Sequence, residues 1–188
     1  MITVTIPRLR VLDFDIENRP LSYLGQDYTS GEVTAIAWQF VGEAEGGCAL
    51  LGETDLKRLL KRFVEAYNAA DLVTGHYIRK HDLPIISGAL IEVGMLPLSP
   101  KLAHDTKLDL IQHKYLSASQ ESLSEMLGVP YPKVHMTQPG WREANRLTPE
   151  GLVKTKQRVV GDVKQHIEMR KRLLALGALG PPKVWSPR

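Results

Sequence analysis

The segment Leu9-Arg10-Val11-Leu12-Asp13-Phe14-Asp15-Ile16 alternates with the period of two that a β-strand imposes. Val11, Asp13 and Asp15 fall on one face, and Leu12, Phe14 and Ile16 on the other, which is assigned to the core. Asp15 and the next residue but one, Glu17, therefore project together from the C-terminal end of the strand. Working outward, the polar stretch Asn18 to Gly31 is turn-rich. Glu32 to Val41 and Cys48 to Leu51 follow as strands, with Gly42 to Gly47 as the hairpin between them. The N-terminal part thus predicts a three-stranded antiparallel meander.

Beyond Thr54 the period changes. Leu56, Leu59, Leu60, Phe63 and Tyr67 recur at three-to-four-residue spacing and predict an amphipathic helix, after which Leu72-Val73-Thr74 reads as a short buried strand ending at Gly75. Pro84 suits the first turn of a helix reaching about Val93, because proline there forfeits no intrahelical bond. A strand over Leu102 to His104 and a helix over about Thr106 to His113 come next. Ser119 can cap Gln120 to Leu127, with Gly128 as the stop. Residues 129–147 hold three prolines and Gly140 and read as a loop or flap. Thr148-Pro149-Glu150 opens a long helix whose apolar positions Leu152, Val159, Val160, Val163, Ile167 and Leu174 hold phase to about Leu176. The alternation predicts one α/β domain over residues 1–176 and a frayed Pro-rich tail over 177–188.

The 188 residues suit a single domain, and 43% apolar with 24% charged residues is a globular composition. No apolar run reaches the roughly 18–20 residues needed to cross a bilayer, and Arg8 and Arg10 interrupt what would be a signal peptide, so no membrane association is expected. The single cysteine, Cys48, can form neither an intramolecular disulfide nor a thiolate zinc cage, which fits a reducing, cytoplasmic setting. A metal here must be held by carboxylates or imidazoles. Charge is unevenly spread: residues 133–188 carry 12 basic and 4 acidic side chains, against 12 and 17 in residues 1–132. A basic C-terminal third can attract a polyanion while the acidic part holds cations, although Lys and Arg on a solvated helix face would give the same count.

Three acidic positions stand out. The Asp15/Glu17 pair needs a cation if its charges are held together, yet also fits an exposed turn. Asp13 lies one step back on the same face, as a supporting partner or a solvated carboxylate. Asp82 precedes Leu83-Pro84 after a strand-Gly turn, where it could equally be a helix cap. Asp162 sits between Val160 and Val163 on or beside the apolar stripe of the last helix, where a carboxylate is costly unless something positive meets it. Arg158 or His166, one turn away, could do so.

Taken in chain order, these elements resemble the DEDD 3′-to-5′ exonucleases of the ribonuclease H-like superfamily, and most closely the proofreading domains of family B polymerases. Phe14-Asp15-Ile16-Glu17 is similar to the family's Phe-Asp-Ile-Glu. Gly75 to Ile86 is similar to its Gly-Tyr-Asn-x-x-x-Phe-Asp-x-Pro pattern, with Tyr77 in place of Asn and His81 in place of Phe. Gly161-Asp162-Val163 is similar to its terminal Asp-Val, and His104-Asp105-Thr106 and Ser122 to Gly128 to its connecting segments. The resemblance implies a mixed β-sheet flanked by α-helices. It also implies that Asp15, Glu17, Asp82 and Asp162 are catalytic and bind two divalent ions, Mg²⁺ or Mn²⁺. Carboxylates suit such hard cations, and two ions about 4 Å apart can activate water and stabilise the leaving oxygen. By resemblance Asp15 bridges both ions, Glu17 and Asp162 hold the hydroxide-generating ion, and Asp82 holds the leaving-group ion. The implied activity releases nucleoside 5′-monophosphates from single-stranded or frayed 3′ ends of DNA.

The chain also departs from the pattern. The family places a Tyr four residues, or a His five residues, before the last Asp, and here those positions are Arg158 and Gln157, neither of which is a general base. Arg158, His166, Tyr77 and His81 are the candidate auxiliaries, with Arg158 alternatively gripping the scissile phosphate. Asn18 stands where the family commonly has Thr. Tyr77, Tyr131 and Trp141 are candidate stacking groups, and Lys133, Arg142 and Arg146 candidate phosphate contacts, for nucleic acid. His76 and His104 read as hydrogen-bonded core histidines. Three alternatives stay open: an RNA exonuclease of the same architecture, a nucleic-acid-binding or polymerase-accessory module with weakened catalysis, and a structural Ca²⁺ site. A polymerase or replication protein is a candidate partner.

Overall fold

The computed structural model describes residues 9–21, 29–110 and 116–187. In chain order its elements are β1 (Val11–Pro20), β2 (Gly31–Phe40), β3 (Gly47–Leu50), α1 (Leu56–Ala69), β4 (Leu72–Gly75), α2 (Asp82–Glu92), β5 (Lys101–Asp105), α3 (Gln120–Met126), α4 (Gln138–Asn145), α5 (Pro149–Ala175) and β6 (Lys183–Trp185). The strands form one mixed sheet in the order β3-β2-β1-β4-β5-β6. Strands β1 to β3 are the antiparallel meander, β4 and β5 add in parallel beside β1, and β6 closes the edge antiparallel to β5. This is the α/β, ribonuclease H-like arrangement that the sequence implies.

Strand β1 is central, and both of its faces are covered. Leu12, Phe14 and Ile16 pack into the main core with Leu59, Leu60, Phe63 and Tyr67 of α1 and Leu83, Ile86 and Leu90 of α2. Phe14, Phe63 and Tyr67 stack in tilted geometry at centroid separations of 5.0 and 6.0 Å, so Phe14→Ala would cost about 3–5 kcal/mol. The opposite face packs under α5, where Val159 and Val163 meet Ala35, Ala37 and Leu50. The face carrying Asp13, Asp15 and Glu17 is therefore roofed by the last long helix.

Three expectations change. The 129–147 stretch contains a helix, α4, whose N-cap Thr137 accepts from the Gly140 N–H and which has proline in its first turn. Gly151 of α5 lets the two helices meet, because a Cβ there would collide with the Glu143 carbonyl. The tail is not frayed over its whole length, since β6 has an edge partner in β5. Residues 106–110 form no helix: the Asp105 and Asp109 carboxylates cap a turn there, Asp105 accepting from the Lys107 and Leu108 N–H groups. The rest of that expected helix, 111–113, lies outside the described residues, as do 22–28 of the turn-rich stretch.

Candidate metal centre

Four elements converge at the C-terminal end of β1. The register between β1 and β2 shifts at Glu17/Asn18, a bulge-type irregularity that turns the end of the strand. The Thr34 hydroxyl donates to the Glu17 carbonyl beside it. Helix α5 crosses above and brings Asp162 down, with the Gln120 side chain of α3 donating to the Asp162 carbonyl at 3.0 Å. Asp15, Glu17 and Asp162 each present a carboxylate oxygen within 4.8 Å of the other two.

Asp82 arrives from the other side. Gly75 ends β4 against β1, and a Cβ there would collide with Ile78 and stand 2.8 Å from the Phe14 carbonyl oxygen. The chain then loops through Tyr77, which adopts a left-handed φ of 70°, into α2. Asp105, which sequence reasoning treated only as part of a connecting segment, organises that loop. Its carboxylate accepts from the Tyr77 and Arg79 N–H groups at 2.9 and 3.0 Å. Asp82 lies buried in the first turn of α2, where the helix dipole favours a negative charge. Of the three acidic charges that act on Asp15, that of Asp82 has the largest effect.

The electrostatics are those of crowded acids. Burial and then the charges of Asp82, Asp162 and Glu17 push the Asp15 carboxyl well above its ordinary value, while Lys133 opposes them. Glu17, Asp82 and Asp162 are also raised, each chiefly by burial. Within Asp162, one carboxylate oxygen is buried without any hydrogen-bond partner. A buried acceptor facing other carboxylates needs a cation, and an all-oxygen donor set suits a hard divalent one. The residues present therefore fit metal ions, with Asp15, Glu17 and Asp162 as one donor group and Asp82 alongside.

The auxiliary candidates divide. Arg158 is in the pocket: its Nε donates to Glu17, its Nη2 stands 3.9 Å from Asp162, and its Nη1 donates to the Val134 carbonyl at 2.8 Å. Trp141, a candidate stacking group for nucleic acid, faces the Arg158 guanidinium at 5.1 Å. Lys133 acts electrostatically on Asp15, Glu17 and Asp162. His81 is half-exposed and contacts Asp82 at 3.3 Å, which raises its pKa. Tyr77 lies under the Lys107 ammonium, and Tyr131, Arg142 and Arg146 are exposed.

His166 is buried, not a surface residue, and serves a different group. Its Nδ1 meets Asp13 at 2.6 Å and its Nε2 meets the Thr106 hydroxyl at 2.9 Å. That hydroxyl also meets His76 Nδ1 at 2.9 Å, which makes Asp13, His166, Thr106 and His76 one chain of contacts. Asp13 is fully buried rather than solvated, and its pKa is raised by burial against the opposing pull of His166 and Arg170. His104 is a core histidine too, accepting from Arg170 and bonded to the Gly180 carbonyl.

No family model matches this chain, and no curated protein matches it. Among solved structures it is similar to the family B DNA polymerase from the hyperthermophilic archaeon Pyrobaculum calidifontis, with a TM-score of 0.67 and 20% sequence identity. The match covers 89% of this chain and 25% of the polymerase, so the chain spans about a quarter of that protein's length. At this identity the likeness establishes the fold. None of the helices among the described residues is long and apolar enough to cross a membrane.

Proposed function

We propose that this chain is a metal-dependent 3′-to-5′ exonuclease that acts on single-stranded or frayed 3′ ends of DNA and releases nucleoside 5′-monophosphates. The observation that carries the reading is the meeting of Asp15, Glu17 and Asp162 within 4.8 Å, together with the rise in the Asp15 pKa caused in part by Asp82. Acids from β1, α2 and α5 have no reason to share a buried pocket unless a cation joins them. The resemblance of Phe14 to Glu17, Gly75 to Ile86 and Gly161 to Val163 to DEDD exonucleases supplies the reaction class. The likeness to a polymerase fold agrees with it.

In this reading Asp15, Glu17, Asp162 and Asp82 would together hold divalent ions, Mg²⁺ or Mn²⁺, with Asp15, on which the other three charges act, as the shared ligand. Ions held there would supply an activated water and neutralise the charge that develops on the leaving 3′ oxygen. The chain's own contribution is placement. The bulge after Glu17 fixes one ligand, the first turn of α2 carries Asp82, and the Gln120 side chain braces Asp162 through its backbone carbonyl. With both His166 ring nitrogens engaged, no histidine of α5 is free to orient water, and His81, 3.3 Å from Asp82, is the histidine left for that role. Arg142 on α4 and Arg146 at its C-cap, both exposed, are the phosphate contacts proposed. A polymerase or replication protein is the partner proposed.

A second reading, a nucleic-acid-binding module with weakened catalysis, is favoured by one observation: Arg158 is paired with Glu17 where the resembled family places a Tyr. Digestion of 3′-labelled and 5′-labelled DNA and RNA strands in Mg²⁺ and in Mn²⁺ tests both. Stepwise loss from the 3′ end, abolished in Asp15→Ala, supports the exonuclease, and the RNA arm reports whether a 2′-hydroxyl is accepted. Retained binding without digestion in either ion selects the inert module.

A further inference from the structure

Resting on the metal-centre reading, we infer that Arg158 is a built-in cation that a divalent ion must displace from the acidic pocket, and that the released guanidinium then binds a substrate phosphate. Its side chain is largely enclosed, 15% exposed, between two regions of the molecule. On one side are Glu17, at 2.5 Å from Nε, and Asp162, at 3.9 Å from Nη2. On the other are the Val134 carbonyl and the Trp141 ring, from the loop before α4 and from α4 itself.

Arg158 contacts two of the three acids whose oxygens lie within 4.8 Å of one another, so it competes for the lone pairs that an ion would need. Yet Asp162 keeps one buried oxygen unpartnered, so the guanidinium satisfies the pocket incompletely. A guanidinium is planar and cannot be deprotonated, so it leaves by moving rather than by losing a proton. In the same position the guanidinium also holds the Val134 carbonyl and faces the Trp141 ring, contacts it can keep when it leaves Glu17 and turns its fork to a phosphate oxygen pair.

Isothermal titration with Mn²⁺ of the wild-type protein and of Arg158→Gln tests the first step. Loss of a charged hydrogen bond to Glu17 corresponds to Mn²⁺ binding on the order of tenfold tighter in Arg158→Gln. Equal or weaker binding by a folded Arg158→Gln overturns the inference and leaves the metal centre standing. No Mn²⁺ binding by either protein overturns the metal-centre reading and the inference with it. The wild-type chain gives an answer that needs no variant: the NMR signal of the Arg158 Nε–H group should shift at saturating Mg²⁺, and an unchanged signal overturns displacement. For the second step, an oligothymidylate with phosphorothioate linkages at its 3′ end should bind several-fold more weakly to Arg158→Gln than to wild type in Mg²⁺. Equal affinity overturns the phosphate role.

Discussion

Two carboxylates on one face of β1, Asp13 and Asp15, sit two residues apart and meet opposite fates. Asp13 faces a histidine at 2.6 Å and, more distantly, an arginine, and its network runs on through Thr106 to His76. Asp15 faces three other acids, with Lys133 opposing them. Both are raised by burial, but partners of opposite charge pull Asp13 down, whereas like charges push Asp15 further up. One arrangement resolves its charge inside the protein; the other leaves it for an outside cation. A strand that spends stability at one position and recovers it at the next marks where function resides.

The contrast is broken most severely by Asp15→Ala. The variant should lose at least about a thousandfold in digestion rate of an end-labelled DNA strand, because Asp15 is the carboxylate on which the charges of Glu17, Asp162 and Asp82 all act. Its fold should persist, as read by circular dichroism, and the rise in melting temperature that Mn²⁺ gives the wild-type protein should vanish. A variant that digests at the wild-type rate removes Asp15 from the chemistry.

Asp13→Ala should do the reverse. Removing the Asp13 carboxylate leaves the buried His166 Nδ1 without its partner at 2.6 Å, and an unsatisfied buried polar group costs about 1–3 kcal/mol. Urea unfolding should record that loss, while Mn²⁺ still raises the melting temperature of whatever fraction folds. A small loss of stability with loss of Mn²⁺ binding would mean that Asp13, not the acidic pocket, governs the ion.

How far this division could be read from sequence follows from the range of each interaction. The period-two pattern of residues 9–17 and the 3.6-residue phase of 148–176 are local, so β1, α5 and the acids they carry were all legible. Asp162 between Val160 and Val163 already signalled a carboxylate near the core. The partner of Asp13 was not legible, because His166 lies 153 residues away and its four-residue spacing from Asp162 suggested the pocket instead. Helix α4 was hidden by the three prolines and Gly140 of 129–147, although Thr137 before Gln138-Pro139 was a usable capping signal. Strand β6 carried no signal of its own, because three residues become a strand only when β5 offers an edge. Asp105 was passed over because its role is to hold backbone N–H groups some 26 to 28 residues earlier.

The histidine end of the Asp13 network sharpens the comparison through pH. Burial lowers the His76 pKa from 6.5 to about 3, so the folded protein refuses a proton that the unfolded chain accepts. Stability present above pH 6.5 is therefore lost as pH falls toward 3, by about 2 kcal/mol between pH 7.5 and 5 for one such histidine. The raised acids act in the other sense, because over the interval above their ordinary values the folded state binds the extra protons. Comparing wild type with His76→Gln by urea unfolding across this range isolates the histidine: the variant should lose less stability on acidification. Parallel losses in both would mean that His76 is protonated in the folded state.

The smallest expected effect is also the most direct reading of the acidic pocket. In Asp15→Asn the side chain keeps its shape and one carbonyl oxygen, but the charge that Asp82, Asp162 and Glu17 oppose is gone. Without divalent ions the variant should be more stable than wild type by about 1 kcal/mol, within the usual range for functional-site residues that trade stability for activity. For a chain of this length that is roughly 2–4 °C in melting temperature. Saturating Mn²⁺ should reverse the order, because only the wild type gains from binding the ion. Arg158 limits the size of the gain, since the cation that offsets Glu17 and Asp162 remains in place. The gain should therefore be larger in the Arg158→Gln background, where the acids repel without relief. If Asp15→Asn is less stable in both backgrounds and in the absence of ions, its carboxylate is a structural group like Asp13, and the difference between the two positions disappears.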